Sequence, residues 1–270
     1  MRYSILIFNL FFFCLIQANA QPFKFNSIGE KKPFSFHFGW HNKKGAYVWY
    51  DGQKSPIALK LKHYERDTSQ REDHQPDVEY YKWTELVNGK ATGEYKLTSM
   101  LRTISDVEYL RYKDQRTFKF EIDENEKYEG KNMALLHGIQ IHFYTFFKDD
   151  LIIKYPDLKE EKFKLYEVNE GKPRYVYIDD YNFDGIDDIA FSVTDGEGLN
   201  VVYNVFIYNP TTKRFSPLKE PEDIGCGYFN NLKVDKKAKK LAVTCKDNAR
   251  WKTYIYKIDK TGKLVLQKPE

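Results

Sequence analysis

The sequence predicts an all-β protein of antiparallel hairpins, propeller-like or sandwich in architecture, with a calcium loop set between two strands. Three observations predict it. Aromatic residues make up 17% of the 270 residues, with 21 Tyr and 20 Phe, and they sit in Val/Ile/Thr-rich runs that alternate apolar with polar. No segment sustains the period of an amphipathic helix. Turn-forming pairs punctuate the runs at hairpin spacing.

The first element is a leader. Arg2 supplies a positive start, Ile5 to Ile16 (ILIFNLFFFCLI) an apolar run, and Ala18 and Ala20 a small-residue cleavage site before Gln21. The run is shorter than the roughly 20 residues that cross a bilayer, and Gln17 and Asn19 follow it. A cleavable secretory signal over residues 1–20 is expected, cut after Ala20 and delivering the chain to the periplasm. Phe11, Phe12 and Phe13 precede Cys14 where a lipobox has small residues, so release without a membrane anchor is expected. The mature chain is also expected to be a monomer. The mature chain divides provisionally near Asp123 to Lys131 (DENEKYEGK). This gives an N-terminal β region over 21–131 and a C-terminal β region over 132–270, or one continuous domain.

Charge is dense but balanced. Against 43 Lys and Arg stand 39 Asp and Glu, and no basic block separates from its acidic surroundings. That argues against nucleic acid as a partner. The mild exception, Lys233 to Lys240 (KVDKKAKK), reads as a solvated hairpin tip. In the mature chain Cys226 and Cys245 remain, an even count in an oxidising compartment, so a disulfide between them is expected. A metal or catalytic thiol is the alternative reading.

Hairpins are expected at Asn88-Gly89, Lys113-Asp114, Asp149-Asp150, Glu170-Gly171, Asn209-Pro210 and around Gly262. The last two lie in similar segments, FIYNPTTKRFSPL and YIYKIDKTGKLVLQ, which suggests a weak internal repeat of the kind a propeller would need. Glu65 to Asp77 (ERDTSQREDHQPD) carries no apolar residue and reads as an exposed loop.

The sharpest chemical motif is Asp180 to Asp188 (DYNFDGIDD). Oxygen donors at positions 1, 3, 5 and 9, a backbone carbonyl at 7 and Gly at 6 are how a short loop wraps Ca²⁺. The expected ligands are Asp180, Asn182, Asp184, the carbonyl of Ile186, and Asp188. Position 12, where an EF-hand has Glu, is Phe191, and the flanks RYVYI and IAFSV are strand-like. The loop therefore reads as one joining two β-strands, as in FG-GAP and related propeller repeats. A metal-free Asp/Asn turn is the plain alternative.

Catalytic signatures do not emerge. H-E-x-x-H, G-x-S-x-G, Walker A and G-x-G-x-x-G after a strand all fail to match, so no catalytic residue is assigned and a non-enzyme is expected. His37 and His41 read as a sheet-face and a turn histidine, and His137 and His142 likewise as structural. Trp40, Tyr47, Trp49 and Tyr50 could form a sugar-stacking platform; the plain reading, which is preferred, is sheet core and cross-strand pairs.

From Val176 to Leu266 the chain resembles a family, the periplasmic immunity proteins typified by the Xanthomonas inhibitor of a type IV secreted peptidoglycan hydrolase. The pieces that carry it are DDYNFDGIDDIAF, GEGLN from Gly196 to Asn200, YNVFIYNPTTKRF, LAVTCKD and YKIDKTGKLVL. The resemblance covers about a third of the chain. It implies a calcium-stabilised propeller-like fold that binds and blocks a peptidoglycan-hydrolase effector, without identifying the inhibitory contact. Only the calcium ligands carry over residue by residue. A calcium-dependent cell-wall or carbohydrate-binding module is the alternative function.

Overall fold

The computed structural model describes residues 22–69, 76–101, 103–169, 171–195, 200–221, 227–247, 250–259 and 262–267. Among these every regular element is a strand, and every pairing is antiparallel. The alternating aromatic pattern thus folds as expected for half-buried strands.

The first eight strands close into an up-and-down barrel: β1 (Phe23–Ile28), β2 (Ser35–His41), β3 (Lys44–Tyr50), β4 (Ile57–Asp67), β5 (Val78–Val87), β6 (Lys90–Met100), β7 (Thr103–Arg111) and β8 (Arg116–Ile122). Closure comes from β1 against β8, with Phe25 opposite Ile122 and Ile28 opposite Lys119. A barrel leaves no open edge to pair with another chain. β4 also continues through Glu65 to Asp67, opposite Tyr80 to Val78, into what the sequence presents as loop.

Strand alternation fills the barrel with rings. Phe25, Phe36, Phe38, Val48, Trp83 and Tyr95 are fully buried in one cluster. Phe36 meets Phe120 edge to face at 4.8 Å, and Tyr95 stacks on Tyr109 at 4.5 Å. The opposite faces carry Lys60, Lys62, Lys96, Lys119 and Glu121, all exposed. This apolar interior and charged exterior is the reverse of a lipid-facing barrel. No helix among the described residues is long and apolar enough to cross a membrane.

One carboxylate lies inside. Glu85 accepts from Tyr109 Oη at 2.6 Å, Thr92 Oγ1 at 2.6 Å and Tyr95 Oη at 3.1 Å, so its burial is compensated by hydroxyl donors. Gly93 makes that packing possible. A Cβ there would lie 2.3 Å from the Tyr109 ring and 2.6 Å from the Leu110 carbonyl. Gly93→Ala is therefore expected to destabilise by about 1–3 kcal/mol, the usual cost of overpacking, as a lower urea midpoint at unchanged m-value.

Three further sheets follow, of four, five and four strands. The first comprises β9 (Lys131–Leu136), β10 (Ile139–Tyr144), β11 (Asp150–Lys154) and β12 (Glu160–Lys164). The second comprises β13 (Tyr175–Asp179), β14 (Asp188–Thr194), β15 (Val201–Asn209) and β16 (Arg214–Pro217), with β17 (Phe229–Asn230) also pairing β15. The third comprises β18 (Lys233–Asp235), β19 (Lys240–Asp247), β20 (Arg250–Ile258) and β21 (Leu264–Gln267).

These sheets stack like neighbouring propeller blades. On the central one, Ile189, Phe191 and Phe206 face Ile141, Leu151 and Ile153 of the first sheet. Their neighbours Ala190 and Val205 face Leu241, Val243 and Tyr256 of the third. The period of two thus explains why β14 is buried almost throughout. The barrel meets the first sheet through Tyr47, Met133 and Leu135.

Hairpin chemistry holds in part. Asn88 and Gly89 have φ of 51° and 76°, the left-handed pair of a type I′ turn. The similar segments at Asn209-Pro210 and Gly262 form the third and fourth strands of consecutive sheets. Glu170-Gly171 does not close a hairpin, because β12 and β13 belong to different sheets. The bend expected at Asp149-Asp150 lies earlier, since β10 ends at Tyr144 and Asp150 already pairs Lys164.

Candidate functional site: a metal-type loop, a mounted turn and a cleft

The Asp180 to Asp188 loop joins β13 to β14, as its flanks require. Three of its side chains converge. Asp180 accepts from the backbone of Asp184 at 3.1 Å and of Gly185 at 2.8 Å. Asn182 Oδ1 shares the Asp184 amide at 3.1 Å, its Nδ2 donates to Asp184 Oδ2 at 2.9 Å, and Asp184 Oδ1 accepts from Ile186 N at 2.8 Å. Gly185, at φ 87°, makes the bend.

Asp188 sits differently. Its side chain is fully buried, and its two oxygens accept from Tyr208 N at 2.8 Å and Tyr181 N at 2.9 Å. It pins the loop to β15. Among the described residues no group of three His, Cys, Asp or Glu side chains is arranged to hold a metal ion. That agrees with the geometry, in which two carboxylates and an amide gather while Asp188 turns inward. Hard oxygen donors with spare lone pairs still have the chemistry a cation such as Ca²⁺ needs.

The loop is also a junction. Lys44 of the barrel pairs with Asp187 at 2.5 Å, and Lys236 of the third sheet pairs with Asp179 at 2.6 Å. His137, in the β9–β10 turn, lies with Nε2 at 2.6 Å from the Asp187 carbonyl and stacks on Tyr208 at 4.0 Å. The barrel and all three sheets therefore meet at this loop.

A second feature was not legible in the sequence. Phe147 stands 88% exposed at φ 70° in the turn between β10 and β11. A bulky residue in the left-handed region costs energy, and so does leaving its ring in water. The turn is nonetheless firmly mounted. Arg174, whose side chain is fully buried, donates to the carbonyls of Tyr144 (2.7 Å), Lys148 (2.9 Å) and Tyr166 (2.6 Å) and to Asp149 Oδ1 (2.7 Å). Its own backbone N–H reaches the Thr145 carbonyl at 2.9 Å. Leu158 (94% exposed) and Leu101 (75%) also have positive φ. The Leu158 turn is braced by Arg214, which pairs with Asp157 and lies 4.1 Å from the Tyr155 ring centre, but that guanidinium is partly exposed where the Arg174 side chain is fully buried.

A third feature is a cleft of about 1390 Å³ between the barrel and the first sheet. Lys24, His37 and Trp49 line it from the barrel, Glu126 and Tyr128 from the connecting segment, and His142 from β10.

The other residues singled out from sequence are dispersed. Trp40 and Tyr50 pack inside the barrel, whereas Tyr47 and Trp49 face the first sheet, so the four form no common platform. Cys245 is buried on β19, and Cys226 and the leader lie outside the described residues. His41 is half-buried, with Nε2 at 2.8 Å from the Met133 carbonyl, and desolvation pushes its pKa down to about 4. His142 is lowered to about 4 by burial and, secondarily, by Lys154.

Both histidines are therefore neutral in the fold, while the unfolded chain protonates them near pH 6.5. The unfolded state binds more protons between those values, so stability falls as pH drops from about 6.5 towards 4. Both side chains are half-buried and solvent screens part of the effect, so the expected loss is of the order of 1–3 kcal/mol for each. Urea titrations at pH 7 and pH 4.5 should show this, and His41→Gln should flatten the dependence.

No family model matches the chain, and no curated protein matches it. A solved structure, a candidate 6-phosphogluconolactonase of Bacteroides fragilis, aligns over 93% of this chain and 95% of its own at 10% identity and a TM-score of 0.31. At that score the likeness carries no argument about fold or chemistry.

Proposed function

We propose that this chain works by binding rather than turnover, as an exported periplasmic immunity protein that inhibits a secreted peptidoglycan hydrolase. The observation that carries the reading is the Phe147 turn. An exposed aromatic held rigidly before any partner arrives loses little entropy on docking, which is what a binding hot spot requires. Its neighbour Lys148 adds a cation whose Nζ lies 4.9 Å from the Tyr144 ring centre. A ring beside an ammonium suits a hydrolase cleft, where apolar walls take sugar faces and paired carboxylates flank the scissile bond.

Calcium in the Asp180 to Asp188 loop is part of the same proposal, as a structural ion. Asp180, Asn182, Asp184 and the Ile186 carbonyl would hold it, and Asp188 would position the loop. The junction made by Lys44, Lys236 and His137 supports a scaffold role. A Cys226–Cys245 disulfide belongs to it too, supported by Cys245 being buried and not a free thiol. The resemblance over Val176 to Leu266 and the leader-like start support the compartment.

The test is competition between a deletion strain, with neighbouring genes intact, and its parent. The deletion strain should be killed by contact with toxin-producing siblings. Equal survival would remove the immunity reading.

A further inference from the structure

We infer that the cleft between the barrel and the first sheet binds a neutral oligosaccharide. This does not rest on the inhibitor reading. At about 1390 Å³ the cleft exceeds the roughly 300–1,000 Å³ of pockets that enclose single small ligands, so it has room for several linked units.

Its wall has the two parts that sugars need. Trp49 packs on Tyr47, Met133 and Leu135, and its indole N–H is already used on the Gln53 carbonyl at 3.0 Å. The ring is thereby fixed and offers the cleft a π surface rather than a donor, and such surfaces suit the apolar faces of pyranose rings. Beside it His37 lies 3.3 Å from Glu126 and 3.9 Å from Asp51, and Lys24 reaches Glu126 at 3.4 Å and Asp123 at 3.7 Å. These donors and acceptors hold one another in place, ready for hydroxyl groups. The same pairing decides the charge of the ligand. Lys24, Lys127 and Lys131 face Asp123, Glu124, Glu126 and Glu129, with Lys131 bonded to Glu129 at 3.1 Å. Three ammonium groups against four carboxylates leave an excess of only one negative charge, so a polyanion is disfavoured and a polycation finds little to bind.

The experiment is calorimetric titration of the intact chain with chitotetraose and cellotetraose, and with tetragalacturonate as the charged comparison. Saturable binding of a neutral tetrasaccharide is expected, weakened at least tenfold in Trp49→Ala and in Glu126→Gln, with tetragalacturonate binding more weakly. Melting curves of both variants guard against loss of fold, and Trp49→Phe should restore most of the affinity. Lack of binding by both neutral probes, preference for tetragalacturonate, or unchanged affinity in both Trp49→Ala and Glu126→Gln would each overturn the inference.

Discussion

Phe147→Asp is expected to weaken binding to the target hydrolase at least a hundredfold, about 2.7 kcal/mol, while leaving the melting temperature nearly unchanged. The ring is 88% exposed, so its loss removes little from the fold, and an Asp adopts the left-handed conformation more readily than Phe. A carboxylate at the same point would meet the hydrolase's own acids and repel them. Arg174→Lys provides the complementary measurement. A single ammonium cannot serve three carbonyls and a carboxylate in the guanidinium's planar arrangement, so the turn loosens. Affinity should fall through ordering entropy, and amide exchange over Thr145 to Asp149 should quicken. If Phe147→Asp binds as the parent does, the contact lies at another tip.

Removing calcium is expected to lower the melting temperature by about 5–10 °C. Binding to the native state alone stabilises by about 2.7 kcal/mol at a hundredfold excess over Kd, and a chain of this size shifts by about 2–4 °C per kcal/mol. The carboxylates of Asp180 and Asp184 share one small loop, so the ion-free state carries a repulsion that the ion relieves. Asp184→Ala should melt like the chelated parent and gain nothing from added calcium. A full calcium response in this variant would place the ion elsewhere. Because the loop joins the barrel to all three sheets, amide protection should change well beyond residues 180–188.

The sequence made some of this legible for identifiable reasons. Asn88-Gly89 announces its turn because few pairs tolerate two positive φ values. The alternation at Asp180, Asn182 and Asp184 announces converging oxygens because loop geometry turns every second side chain the same way. The likeness of FIYNPTTKRFSPL to YIYKIDKTGKLVLQ marks equivalent strand pairs in consecutive sheets.

Other parts depend on distant pairings that no local pattern encodes. Barrel closure sets Phe25 against Ile122, and a sandwich would need the same alternation, so residues 21–131 read as strands without an architecture. The Asn42-Lys43 turn has φ of 44° and 70° but lacks the glycine that usually signals such a pair. Arg174 is invisible as a mount because its acceptors come from Tyr144, Lys148, Asp149 and Tyr166, brought beside it only by the fold. Phe-Phe before Lys-Asp-Asp looks like strand followed by turn, and this displaced the expected bend past Phe147. Asp188 matches a ligand position in the loop spacing, yet its burial follows from β14 lying between two sheets.

The central claim is inhibition by direct binding. It is tested most directly by titrating the purified chain into each peptidoglycan hydrolase encoded beside its gene and following release of fragments from purified cell wall. The account predicts that one of these hydrolases loses its activity at a one-to-one ratio, in calcium, and regains it when Phe147→Asp replaces the parent chain. Full hydrolysis by all of them in the presence of excess parent protein would contradict it.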